Sequence, residues 1–236
     1  MDLILVPGFW LDGSAWDAVT PTLVAAGHTV HPLTLPGMES RDADRSGITP
    51  QDHVDAIVAE IDRVPADQPV ALVGHSGNGS TVYAATDARP GRVSHVVYVD
   101  SGPQADEAMA VDPNLPEDVV DHELPPWETF DDESLAGLTD ELRAAVRARA
   151  VPQPGGTVRR GPRLSGDERR YDVPTTVIAC EMPGATLRGL MEQDHPYVAE
   201  LKRLHDYEIV DLPTGHWPMF STPEELGEVI DAAVTR

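Results

Sequence analysis

The sequence predicts a parallel α/β fold in which a six-stranded sheet carries helices on both faces and one long helical insertion. Three observations point to it. Short, continuous apolar runs of strand length recur along the chain, stretches with helical spacing separate them, and a single long interval, residues 101–172, interrupts the alternation. Continuous apolar runs mark strands buried on both faces, as a parallel sheet covered by helices requires.

The elements follow in order. Residues 3–6 form the first apolar run and end at Pro7-Gly8. Trp16, Val19, Leu23 and Val24 then recur at helical spacing as far as Gly27, a helix stop, with Pro21 inside the pattern. Residues 29–35 predict a second strand that ends at Pro36-Gly37. Thr49-Pro50 supplies an N-cap and a first-turn proline for a helix whose buried stripe is Val54, Ile57, Val58 and Ile61. A strand at 70–73, a helix at 79–88 and a strand at 93–99 come next. Strands at 175–179 and 207–212 complete the six, with a helix expected over 197–204 and a closing helix from Thr222-Pro223-Glu224-Glu225.

Residues 101–172 show no strand pattern, but Leu135, Leu138, Leu142, Ala145 and Val146 have helical spacing. A structureless loop of that length inside a compact domain is improbable, so the interval is expected to be an inserted lid with helices. Residues 1–100 and 173–236 then make the core domain. Arg159, Arg160, Arg163, Arg169 and Arg170 in and beside the lid read as a solvated face answering the surrounding acids.

Composition bounds the function. A chain of 236 residues with 41% hydrophobic and 24% charged side chains is long enough for one sizeable core. No run approaches the ~18 consecutive apolar residues of a membrane helix. The start, MDLILVPGF, lacks the basic residues and apolar length of a signal peptide, and the lone Cys180 fits a reducing compartment, so a cytoplasmic location is expected. A formal charge of −23 argues against nucleic acid or an anionic membrane as partner and disfavours a multiply anionic substrate. The partner expected is a small molecule.

The chemistry centres on VALVGHSGNGS, residues 70–80. Gly74-His75-Ser76-Gly77 follows an apolar strand and precedes a helix, the context of a strained turn that lifts a serine out as a nucleophile. Asn78 stands where the usual pattern has its second glycine, with Gly79 one position later. A serine hydroxyl is a weak nucleophile without a base. Of nine histidines, His216 stands out: LPTGHWP places it after the last strand and before the last helix, at the same edge of the sheet as Ser76. His75, inside the turn, reads as a packing residue. GHSGNGS lacks the Gly-Lys-Ser/Thr ending of a phosphate loop, and no HExxH or paired Cys/His spacing indicates a metal, so no cofactor is expected.

These residues carry a family resemblance. VPGFW resembles the oxyanion loop of the α/β-hydrolase fold superfamily, GHSGNG its nucleophile elbow and PTGHWPMFSTPEEL its terminal histidine loop. The resemblance spans nearly the whole chain, is weakest in the lid, and is greatest to small enzymes of the esterase and hydroxynitrile lyase type. The family's two extra N-terminal strands are missing. The resemblance implies Ser76 as nucleophile, His216 as general base, and the amides of Phe9 and Gly77 as oxyanion hole. Physics agrees for Gly77, which begins a helix where amides are unpaired and negative charge is favoured.

The family's acid lies a few residues past the penultimate strand, where this chain has VIACEMPG and Pro183 takes the aspartate's place. Asp100, at the end of the strand after the elbow helix, is the first candidate to replace it and Glu181 the second; Asp194 is a distant third. The reaction expected is cofactor-free hydrolysis of an ester or lactone of a small, uncharged, fairly apolar molecule through an acyl-enzyme on Ser76. A lyase or cyclase using the same serine and histidine is the alternative, since fold does not fix reaction, and a non-catalytic ligand-binding homologue is a third reading.

Overall fold

Apolar residues run nearly unbroken through the inner strands of the sheet because each of these strands feeds two cores. In the first strand Leu3 and Leu5 enter one cluster of buried side chains and Ile4 and Val6 the other, and the same alternation separates Ala71 and Val73 from Val70 and Leu72. The chain, seen in a computed structural model that describes residues 1–104 and 111–236, is the sheet these strands build with its helical layers.

In chain order the first half contains β1 (Asp2–Val6), α1 (Thr20–Ala25), β2 (Thr29–Pro32), α2 (Pro50–Arg63), β3 (Val70–His75), α3 (Gly79–Ala88) and β4 (Val93–Val99). The connection that follows holds β5 (Asp121–His122), α4 (Asp140–Arg149), β6 (Gln153–Pro154) and α5 (Gly155–Arg159). The last part contains β7 (Thr175–Ala179), α6 (Gly184–Glu192), β8 (Tyr207–Asp211), α7 (Pro218–Ser221) and α8 (Pro223–Val234). Six strands form one sheet in the order β2-β1-β3-β4-β7-β8, and every neighbouring pair is parallel. Among the described residues no helix is long and apolar enough to cross a membrane.

Several boundaries depart from the sequence expectation for local reasons. The first helix is split into a 3-10 turn, Gly13–Trp16, and α1, which starts at Thr20 and so places Pro21 in its first turn, where a missing N–H costs nothing. The second strand stops at Pro32 rather than at residue 35. Tertiary contacts replace the expected helix over 197–204 by two 3-10 turns, Pro196–Val198 and Leu201–Arg203. Helix α6, absent from the sequence reading, begins directly after Pro183. The interval 101–172 does contain strand structure, the antiparallel two-residue pair β5-β6, beside the helix α4 that the leucine spacing predicts. Residues 105–110 of the expected lid lie outside the described residues. The expected start of α2 is observed, with Thr49 as N-cap and a capping box closed by Asp52.

The arginines of this region divide into two kinds. Arg160 pairs with Glu117 and Arg169 with Asp167 at the exposed surface. Arg170 does not belong to a solvated face: it is 5% exposed. Its Nε donates to the Tyr83 hydroxyl at 3.0 Å, and its guanidinium pairs with buried Asp87 at 3.1 Å and Glu200 at 3.7 Å. This network ties α3 to the residues that lead into β7. Removing one partner of such a pair leaves a buried charge alone, so Arg170→Met should lose ~3–5 kcal/mol in urea unfolding. A loss below ~1 kcal/mol would mean that the network stabilises nothing that a well-packed apolar side chain does not.

Candidate active site

All candidate groups lie at the carboxyl edge of the parallel sheet. Register explains why: Val6 pairs with Gly74, His75 with Val99, Val99 with Ile178, and Ala179 with Asp211. Residues that follow those positions emerge together, namely Pro7 to Phe9 after β1, Ser76 after β3, Asp100 after β4, Glu181 after β7 and His216 after β8.

Ser76 sits at the turn between β3 and a 3-10 turn, Ser76–Asn78, that runs into α3. Its φ is 54°, a left-handed conformation unfavourable for a residue with a side chain. Packing holds the turn in place. A Cβ at Gly74 would lie 2.7 Å from Val82 of α3, so only glycine lets strand and helix come this close. On the far side the close approach falls at Gly79, where a Cβ would lie 2.1 Å from the Ser101 hydroxyl oxygen. Asn78 therefore has room. Its side chain is buried and its Nδ2 donates to the Pro7 carbonyl at 2.7 Å, which fastens the elbow to the loop after β1. Ser101 adds a further tie by donating to the Ser76 carbonyl at 2.7 Å.

His216 lies between Ser76 and two carboxylates. Its Nε2 is 2.6 Å from Ser76 Oγ, its Nδ1 is 2.6 Å from Asp100 Oδ2, and Glu181 Oε2 lies 3.5 Å from the same Nδ1. A nitrogen facing two carboxylates carries the proton, so Nδ1–H donates to Asp100 and Nε2 accepts from the Ser76 hydroxyl. Asp100 is fixed as well as placed. Its other oxygen accepts the N–H groups of Glu181 at 3.0 Å and Cys180 at 3.2 Å, across from the end of β7. Burial opposes ionisation of Asp100, but the His216 bond, the charges of both histidines and the Glu181 amide outweigh it and hold the carboxyl below its usual range. Glu181 shifts the other way. Burial, joined by repulsion from Asp100 and Asp131, raises it against the opposing pull of Ser134 and His216.

The structure thus brings Ser76, His216, Asp100 and Glu181 together and leaves Asp194 outside, exposed and paired with Lys202. Asp100, Glu181 and His216 also form a group whose ligand atoms lie within 4.8 Å of one another. Both imidazole nitrogens are committed, one to Ser76 and one to Asp100, so this donor set is arranged to hold a proton. Phe9 lies against the elbow, since a Cβ at Gly77 would meet the Phe9 ring at 2.9 Å. Sequence reasoning missed the aromatic groups around these residues. Trp10, Phe130, Trp217 and Trp127 form a chain of edge contacts with centroids 5.2 to 6.4 Å apart, and Trp217 meets the His216 ring at 5.0 Å.

The sequence profile of the alpha/beta hydrolase family matches residues 3–229. The chain belongs to that family. Among its relatives, a pyrethroid hydrolase of Sphingobium wenxiniae is 25% identical over 97% of this chain and 86% of the relative. Methylesterase 8 of Arabidopsis thaliana is 31% identical over 54% of this chain and 50% of its own length. The solved structure of a methylesterase from Arabidopsis superposes with a TM-score of 0.78 at 17% identity, covering 100% of this chain and 99% of that one. These relatives place the α/β hydrolase in the small esterase branch and make it an enzyme of the carboxylesterase type.

His75 has a role beyond filling the elbow. It is fully buried, and its Nε2 donates to the carbonyl oxygen of His216 at 2.7 Å, holding the histidine loop against the sheet. Among the described residues its Nδ1 has no partner, and burial, aided by the charge of His216, lowers its pKa from 6.5 to about 3. The unfolded chain therefore takes up this proton below 6.5 while the folded chain resists it until about 3, so this group makes stability fall as pH falls through that window and has no effect above it. His75→Gln, which keeps a donor, should flatten that fall by up to ~1.4 kcal/mol per pH unit in urea unfolding. An unchanged slope would mean that His75 is already protonated in the fold.

Proposed function

We propose that this α/β hydrolase is a serine esterase whose Ser76 is acylated by an ester or lactone of a small, uncharged, fairly apolar molecule. The observation that carries the reading is the unbroken chain from Ser76 Oγ to His216 Nε2 and from His216 Nδ1 to Asp100 Oδ2, with 2.6 Å at each link. Ser76 attacks the carbonyl carbon as its proton passes to His216 Nε2, and Asp100 steadies the imidazolium that forms. The oxyanion is received by the amides of Phe9 and Gly77. His216 then gives the proton to the leaving alkoxide, and water repeats the sequence to release the acid. The formal charge of −23, which repels anions, favours an uncharged substrate. A relative named for pyrethroid hydrolysis fits the same preference.

The nucleophile is tested by Ser76→Ala. With aryl and alkyl esters and lactones as probes, kcat should fall ~10⁴-fold while the fold persists, and wild-type enzyme quenched during turnover should carry an acyl mass on the peptide containing Ser76. A variant that keeps more than ~1% of the rate would remove Ser76 from the role.

The acid is tested by comparing Asp100→Asn with Glu181→Gln. Asparagine in place of Asp100 offers an amide to Nδ1 and favours the wrong histidine tautomer, so a loss of ~10²-fold or more in kcat is expected, against less than ~10-fold for Glu181→Gln. The reverse order would transfer the role to Glu181, whose carboxylate lies 0.9 Å farther from Nδ1 by the difference between 3.5 and 2.6 Å.

A further inference from the structure

The residue after Phe9 is held in an unfavourable conformation by a part of the chain remote in sequence. Trp10 has φ 65°, a left-handed backbone that a bulky aromatic residue adopts only when its surroundings impose it. Three hydrogen bonds impose it, and all come from the connection between β4 and β7. The Trp10 N–H donates to Gln153 Oε1 at 3.3 Å, the Trp10 carbonyl accepts the Val151 N–H at 2.9 Å, and the indole N–H donates to the His122 carbonyl at 3.1 Å.

Gln153 is the side chain of the three anchors. It is 0% exposed and belongs to β6. Its orientation is determined by a relay behind it. The Thr157 hydroxyl donates to the Pro154 carbonyl at 2.8 Å, so toward Gln153 it acts as an acceptor, and Gln153 Nε2 donates to it at 2.7 Å. The amide oxygen is thereby turned toward Trp10. A buried amide without partners would destabilise the fold, and here both ends of the amide are satisfied. At the other end of the loop, Pro7 is anchored by the Asn78 amide at 2.7 Å. Phe9 is thus bracketed by two buried side-chain amides, one from the elbow and one from the β4–β7 connection.

We propose that Gln153 is a positioning residue for the oxyanion hole: by fixing the strained backbone of Trp10 it sets the direction of the neighbouring Phe9 N–H. The proposal rests on the reading of Phe9 and Ser76 as parts of an esterase site. It makes the β4–β7 connection part of the catalytic geometry as well as a neighbour of the substrate. Donor placement matters most when the carbonyl oxygen has become an oxyanion, so loss of the anchor should weaken transition-state binding and leave ground-state binding nearly intact.

The test uses the full chain with Gln153→Met, which keeps volume and removes the acceptor, and Gln153→Glu, which keeps an acceptor oxygen. For an aryl ester, Gln153→Met should lower kcat ~10–100-fold with KM changed less than ~2-fold, and affinity for phenylboronic acid, which forms a tetrahedral adduct, should fall with kcat. Gln153→Glu should restore most of both. If Gln153→Met does not fold, Thr157→Val, which frees the amide to turn, should show the same split to a smaller degree. Equal kcat and boronate affinity in the wild type and in whichever of Gln153→Met and Thr157→Val folds would overturn the proposal, as would a loss confined to KM or one that Gln153→Glu fails to restore. Ser76→Ala measured alongside separates the two readings. Retained activity in that variant overturns the esterase site itself, whereas inactive Ser76→Ala with unaffected Gln153→Met overturns only the role of Gln153.

Discussion

The carboxylate of Asp100 is the contact on which the arrangement of the site depends. One oxygen is held by two amides at the end of β7 and the other meets the histidine that follows β8, so a single side chain joins three strands at the carboxyl edge of the sheet. The residue itself has a φ of 44°, which aspartate tolerates better than most residues and which turns its side chain across the sheet. Because amide donors hold the first oxygen, the second faces His216 Nδ1 without competing partners among the described residues. Glu181 lies beside this pair but lacks comparable restraint. Two carboxylates near one imidazole cannot both be held charged at low cost, and they separate in acidity, with Asp100 shifted down and Glu181 shifted up.

The elbow illustrates how a sequence pattern can shift by one position and keep its physics. The demand for glycine comes from atoms that crowd the turn, here Val82 on one side and Ser101 on the other. Those atoms press on positions 74 and 79, so position 78 is released from the demand. Asparagine there contributes a hydrogen bond that glycine could not make, between the elbow and the loop after β1. The strain at Ser76 and at Trp10 is sustained by such bonds, which lie outside the strained residues themselves.

Charge is distributed with equal economy. Most of the acidic excess is at the surface, where ion pairs contribute little. Two buried exceptions are Arg170 with Asp87 and Glu200 beneath α3, and Arg45, which is almost wholly buried, pairs with Asp121 and donates to the carbonyls of Pro152, Arg41, Ala43 and Ser40. Both fasten the connection between β4 and β7 to the sheet-forming part of the chain. These polar ties add to the apolar contacts of Leu135, Leu138, Val146 and Val151, which the same connection buries in the two cores.

The sequence by itself determined the parallel sheet, its six strands, the two helical layers and the edge at which Ser76 and His216 meet, because these follow from local patterns: continuous apolar runs, helical stripes and turn residues. It also placed Asp100 ahead of Glu181 by position relative to a strand end. Tertiary structure alone decided the rest. The closing distance between Asp100 and His216 depends on strand register and on amides at the end of β7, which no local pattern encodes. Where apolar periodicity was weak, as over residues 196–204, packing chose 3-10 turns over a helix. Gln153, Asn78 and the aromatic side chains from Trp10 to Trp217 acquire their roles only through contacts across long separations of sequence, up to 143 residues for Trp10 and Gln153. A glutamine between two prolines gives no local sign that its amide will meet a strained backbone 143 residues earlier in the chain.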